Sequence, residues 1–388
     1  MTGGGCPACA DNGLYRFVHR EILLLLALGA IAGVLFLLTR TAAAANRGMR
    51  VREAAVWFDL GQRQLRARRL EEAVTSLRRA TAIDRDNGGY RLRLAEALAA
   101  SGHDGAARQV LLELRGRAPE DPDINTSLAR LEVRRQDLTA AVRYYENALY
   151  GSWPADQAAA RRHLRLELIR YLLAHGEQRG ALSQLLVLSA NLPEQVPLQV
   201  EAAQLFMSAG DSRRALEHFR QALRADRDNA VALAGAGEAA FNLGDYTRAR
   251  RYLRAVPRQA ERIRELSTLA DLVLTSDPLM PGLRREERRR RLLAGLTHAA
   301  ARLESCLLQP GRRVESSRGV MKSLRQEALS LADALTGRRF RGAPEVLERG
   351  VDLLSRVERA ADGAGCGTLT NVDRALALVA RRYGSDEP

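Results

Sequence analysis

The chain has 388 residues and a formal net charge of +14, from 60 Lys+Arg against 46 Asp+Glu. An apolar fraction of 46 % excludes a disordered chain, 27 % charged residues exclude a polytopic membrane protein, and four cysteines exclude a disulfide scaffold. Aromatics at 5 %, beside abundant Ala, Leu and Arg, predict an all-helical protein.

The positive charge is spread over the chain, with an excess of +3 over 1–53, +5 over 54–257 and +6 over 258–388. That spread argues against a nucleic-acid surface, which gathers its charge on one face or arm. Lys322 is the single lysine; arginine carries the rest.

Residues 1–21 form an N-terminal tail containing Cys6-Pro-Ala-Cys9. The spacing is that of a redox or metal half-site, but neither a second Cys pair nor a His pair accompanies it. Ile22–Leu38 is then seventeen apolar residues without interruption, bracketed by Arg20 and Arg40. As a helix it reaches about 26 Å, which snorkelling arginines extend to a hydrocarbon core of about 30 Å. The segment predicts a single-pass anchor in a cell (inner) membrane. Ala43-Ala44-Ala45 offers the alternative of a cleaved signal, although the apolar run is longer than a usual signal core. Arg40, Arg47, Arg50 and Arg52 follow the span and favour, slightly, a cytoplasmic soluble part. Pairing of Cys306 with Cys366 would instead suit an oxidising, periplasmic side. Residues 39–53 are expected to be a linker.

From residue 54 a period of 34 sets in. Ala73, Ala107, Ala141, Ala181, Ala215 and Ala249 share one column, with a single step of 40 between the third and fourth. Four residues on stand Leu77, Leu111, Tyr145, Leu185, Phe219 and Leu253, and a glycine column holds Gly102, Gly176, Gly210 and Gly244. The spacing predicts two antiparallel helices per unit. The glycine ends the first helix in a left-handed conformation, and the small and large residues of the second pack against it. One helix pair cannot bury both faces, so neighbours stack. The units are 54–87, 88–121, 122–155, 162–195, 196–229 and 230–257.

This pattern resembles the tetratricopeptide repeat family, and with the anchor the chain resembles membrane-anchored, bacterial-type members. Trp57-x2-Leu60-Gly61 followed by Ala73-x3-Leu77 matches the family signature, and Pro119 and Pro193 stand where its closing proline belongs. The resemblance implies an α-solenoid whose inner groove holds a peptide or protein. Carried over by column, the groove positions are Gln62, Arg66, Glu96, Arg130, Arg134, Arg170, Gln204, Glu238 and Asn242. Arg130, Arg134 and Arg170 give it a basic middle, suited to an acidic partner.

Beyond Pro257 the period stops, and 258–388 is expected to be a C-terminal helical domain of about five amphipathic helices. Their ends are marked by Ser276-Asp277-Pro278, Pro310-Gly311, Gly337 and Gly363–Gly367, and the last runs from Val372 to Tyr383. Leu292, Leu296, Leu303 and Leu307 form one stripe. In Arg284–Arg291 two carboxylates, Glu286 and Glu287, pair forward with Arg290 and Arg291; the rest of the run suits solvent or anionic headgroups.

The six histidines are scattered singly, and there is no nucleophile elbow or P-loop. No catalytic residues, metal ligands or cofactor are therefore expected. The reading is a membrane-tethered scaffold for protein–protein interaction in assembly or regulation of an envelope complex. The alternative is an enzyme-associated module whose activity resides in 258–388. The sequence does not fix the oligomeric state.

Overall fold

A computed structural model describes residues 11–257, 260–309, 312–336, 344–366 and 370–383. Cys6 and Cys9 lie outside the described residues. Among those described there are seventeen α-helices and no strand. The chain divides into two compact units, Met1–Arg165 and Leu166–Pro388, with the division falling inside one helix.

The first unit opens with α1 (Asp11–Arg66), then α2 (Leu70–Ile83), α3 (Gly88–Ala100), α4 (Asp104–Arg117), α5 (Pro122–Arg134), α6 (Leu138–Tyr150) and the start of α7 (Ala158–Ala174). Helix α1 contains the stretch that is long and apolar enough to cross a membrane, and none of that stretch is buried by the protein. By length and composition a signal sequence passes the same test. Residues 39–53, expected to be a linker, continue α1 without a break. Residues 42–45 are consecutive alanines and the segment has no proline, so Gly48 is the one strong opponent of helix in it.

In this unit the packing follows the columns. Ala73, Leu77, Ala80, Ala107, Ala141 and Ala148 are fully buried. Gly61 makes the first pair possible, since a Cβ there would lie 2.7 Å from Leu77 Cγ. The small residue on one helix and the large one on the other are thus one contact. Gly102 closes α3 at φ +85°, and the backbone N–H of His103 reaches back to the Leu98 carbonyl at 2.8 Å. The same column in the first and third repeats is filled by Arg68 (φ +58°) and Gln136 (φ +61°). Asn87, Asp121 and Asp137 cap α3, α5 and α6 through their side chains.

The second unit continues with α8 (Gln178–Ser189), α9 (Val196–Ser208), α10 (Ser212–Ala225), α11 (Ala230–Asn242) and α12 (Tyr246–Ala255). Gly176, Gly210 and Gly244 again have positive φ, and Asp211, Asn229 and Asp245 cap α10, α11 and α12. Gly237 repeats the Gly61 device: its Cβ would fall 2.6 Å from Leu253 Cγ.

Five further helices follow, α13 (Glu261–Ser276), α14 (Arg285–Leu307), α15 (Arg312–Thr336), α16 (Pro344–Ala364) and α17 (Asn371–Tyr383). Leu292, Leu296 and Leu303 are fully buried in one apolar cluster with Met321, Leu324, Leu354 and Val357. Helix α15 begins at Arg312, and its buried stripe starts at Val314 and continues through Met321 and Leu324. A disulfide joins Cys306 to Cys366, their Cα atoms 5.1 Å apart.

Candidate functional site: a groove on the first helices of the repeats

In the second unit, the first helices of successive repeats present one face to an open cavity of about 730 Å³. Gln204 and Met207 reach it from α9, Val231, Glu238 and Asn242 from α11, and Ile263 from α13. Its floor is Phe219, which lies against Gly235; a Cβ at that glycine would be 2.2 Å from the ring. The cavity therefore combines an apolar floor with a polar edge. Val231 is 51 % exposed, an uncovered aliphatic side chain at the mouth.

The polar edge is braced along the groove. Glu238 accepts an ion pair from Arg262, and Asn242 donates to the Ser212 hydroxyl at 3.4 Å. Arg170, on the α7 segment of this unit, pairs with Glu201 of α9. All these pairs are partly exposed, so each contributes about 0–1 kcal/mol.

In the first unit Gln62 and Arg66 stand on α1, Glu96 on α3, and Arg130 and Arg134 one turn apart on α5. Glu96 takes Arg93 at 2.6 Å and the Ser127 hydroxyl at 3.3 Å. Arg134 donates to Asp104 at 2.7 Å and to the Ala99 carbonyl at 2.5 Å. The pair Arg134–Asp104 and the pair Asn242–Ser212 have the same separation of thirty residues. In each, the last turn of a first helix reaches back to the first turn of the preceding repeat's second helix. This register recurs in both units.

The column argument selected the polar residues and omitted the apolar ones. Met207, Val231 and Ile263 were not singled out because an apolar residue on an amphipathic helix is ordinarily core. The signal that could have found Val231 is its position immediately after the capping Asn229-Ala230, on the first-helix face rather than the stacking face. Arg134 and Arg170 carry carboxylate partners, Asp104 and Glu201, that a reading of single columns does not supply.

Among the described residues no group of three His, Cys, Asp or Glu is placed to hold a metal ion. His218, partly buried in this unit, serves packing. It stacks on Phe206 with centroids 5.3 Å apart and bonds Gln199 at 2.7 Å, and burial holds it below the usual imidazole range.

The family described as tetratricopeptide repeat matches residues 64–131 and 206–270, one stretch in each unit. The second match runs past Pro257 and takes in most of α13. These two stretches are similar to tetratricopeptide repeats. Comparison with curated proteins finds no match. Among solved structures the chain is similar to PilF of Pseudomonas aeruginosa at 15 % identity and a TM-score of 0.39, over 56 % of this chain and 98 % of that one. It is similar to PilW, a widely conserved type IV pilus biogenesis factor, at 19 % identity and 0.37, over 54 % and 96 %. YrrB, a repeat protein with an unusual peptide-binding site, stands at 16 % and 0.33, over 46 % and 88 %.

Proposed function

We propose that this chain is a membrane-tethered scaffold that holds a segment of another protein in its groove, in the assembly or regulation of an envelope complex. The observation that carries this reading is the cavity on α9, α11 and α13, where an uncovered aliphatic mouth, an aromatic floor and a polar edge occur together. Such a surface suits an extended segment that inserts an apolar side chain while its backbone bonds to Gln204 and Asn242. Arg134 and Arg170 are held by partly exposed carboxylates in pairs of small net strength, so an acidic segment can compete for them. The apolar stretch of α1, Ile22–Leu38, supplies the tether.

Two observations bear on the side of the membrane. Four arginines follow the span, but arginine is abundant throughout this chain, so the count discriminates little. The Cys306–Cys366 disulfide supports the oxidising side, and we place the repeats there.

A photoreactive residue at Val231 is expected to give a discrete adduct in intact cells, and one at Leu186, exposed on α8, is not. Reversal of Arg170 to Glu, in the same unit as Val231, should weaken the Val231 adduct if the segment is acidic. Equal labelling from Val231 and Leu186 would overturn the groove. Protease added to intact spheroplasts should remove a C-terminal tag; protection would put the repeats in the cytoplasm.

A further inference from the structure

A second cavity of the Leu166–Pro388 unit lies away from the groove. It has a volume of about 340 Å³ and is lined by the end of α13, the first four turns of α14 and the start of α17. Six hydrogen-bonding side chains line it from two helices: Thr275 and Ser276 of α13, and Glu287, Arg290, Arg291 and His298 of α14. Ala294 and Leu376 give it an apolar floor.

Three of these side chains are held or free in a way that prepares them for a ligand. Arg291 is fixed on three oxygens, donating through Nε to Glu287 at 2.7 Å and through Nη1 to the Leu274 and Asp277 carbonyls at 2.7 and 3.1 Å. It thereby caps the C-terminal end of α13 and brings a positive charge to the cavity wall. His298 commits Nε2 to Asp373 at 2.8 Å. Asp373 is only 6 % exposed and is itself held by the Thr370 hydroxyl and backbone N–H, both at 2.7 Å. The imidazole orientation is thus set by a buried second residue, and Nδ1 has no protein partner among the described residues. Arg290, by contrast, is 76 % exposed and meets only Glu287, at 2.7 Å. That exposed pair holds it weakly, so it can turn to a ligand at small cost.

The wall therefore carries two guanidinium groups against one carboxylate, and the imidazole, its Nε2 committed to Asp373, turns Nδ1 as an acceptor toward a phosphate hydroxyl. We propose that this cavity binds the phosphate group of a small phosphorylated molecule. The group has three outward oxygens to meet donors from several directions, whereas a planar carboxylate presents two. The remainder of the molecule would lie over Ala294 and Leu376. The phosphate can arrive on a free monoester or on a lipid headgroup.

The test uses the full chain in detergent micelles, with hexyl phosphate titrated by calorimetry. Saturable binding at one site per chain is expected, with inorganic phosphate and hexanoate each at least tenfold weaker. Arg290→Gln, a substitution at an exposed position, should weaken hexyl phosphate at least tenfold and leave the melting temperature of the unliganded protein unchanged. Glu287→Gln removes the opposing charge and should tighten binding several-fold. Displacement of hexyl phosphate by dihexanoylphosphatidic acid, a lipid phosphomonoester, would assign the phosphate to a lipid headgroup, and failure to displace it would assign it to a soluble monoester. Either result leaves the site standing. Undiminished binding in Arg290→Gln, hexanoate as tight as hexyl phosphate, or weaker binding in Glu287→Gln would overturn it.

Discussion

Arg68 and Gln136 pay a backbone cost that their counterparts avoid. Both sit at positive φ where the other repeats of the described chain place Gly102, Gly176, Gly210 and Gly244. An L-residue in the left-handed region costs about 1–2 kcal/mol, and glycine returns about 0.5–1 kcal/mol of that as entropy lost on folding. Arg68→Gly and Gln136→Gly should each stabilise the first unit by about 0.5–1 kcal/mol, read as a rise in the urea midpoint. The converse change, Gly102→Ala, at φ +85° with open space around the site, should destabilise by about 1 kcal/mol through strain alone.

A second prediction at this scale concerns Tyr383. Its hydroxyl donates to the fully buried Asp277 carboxylate at 2.9 Å. Burial and that hydrogen bond push the phenol up to about 12. A raised value means that the folded state favours the protonated phenol. The contribution is therefore complete below the unfolded value of about 10 and is lost as pH climbs toward 12. The stability difference between the wild type and Tyr383→Phe should be flat up to about pH 10 and shrink beyond it. In Asp277→Asn the phenolate absorbance should appear at lower pH.

At the scale of elements, α14, α16 and α17 are joined by a buried ionic cluster. Arg302 (8 % exposed) pairs with Glu358, meets Asp362 at 3.0 Å and lies 3.8 Å from Asp373. Glu358 Oε1 has no partner. Burial raises the Glu358 carboxyl despite Arg302, whereas Asp373 is held low because hydrogen bonds from Thr370 and His298 and the Arg302 charge outweigh its own burial. Removing the cation by Arg302→Met should cost about 3–5 kcal/mol, since it leaves a buried carboxylate uncompensated. Adding Glu358→Leu should recover most of that loss. A group with a raised folded value contributes most when protonated. The deficit of Arg302→Met in urea melts should therefore narrow as pH falls from neutral into the carboxylate range.

Which elements were legible in the sequence follows from the same physics. The helix ends at Ser276, Gly176, Gly210 and Gly244 were readable because proline and glycine act locally. The segment 39–53 was not, since an alanine-rich stretch without an apolar stripe looks like a linker when judged by periodicity. As the continuation of α1 it inherits a helix that needs no new nucleus. Of the groove, the polar columns were legible as columns. Asp104 on Arg134 and Glu201 on Arg170 were not, because each partner comes from another helix and depends on how neighbouring pairs stack. The cluster around Arg302 was equally hidden: its carboxylates lie 56 to 71 residues from that arginine and share no motif with it.

At the scale of the molecule, the two units are held differently. The first is closed by contacts between adjacent helices, as in any stack of pairs. The second adds ties of long sequence separation, with Arg374 on Glu265 across 109 residues, Tyr383 on Asp277 across 106, and Cys306 bonded to Cys366 across 60. Closing a loop of that last length removes about 4 kcal/mol of unfolded-state entropy in the chain-entropy treatment. Cys306→Ala with Cys366→Ala, or reduction of the wild type, should lower the stability of this unit by about 2–4 kcal/mol. The chain carries its own reference for the measurement, since both tryptophans, Trp57 and Trp153, belong to the first unit. Far-UV circular dichroism should therefore lose its upper transition on reduction, while the tryptophan emission transition keeps its midpoint. An emission midpoint that falls with the helical signal would show that the bond stabilises more than the helices it joins. A helical signal unmoved by reduction would show that the apolar packing of Leu296, Leu303 and Leu354 suffices without it.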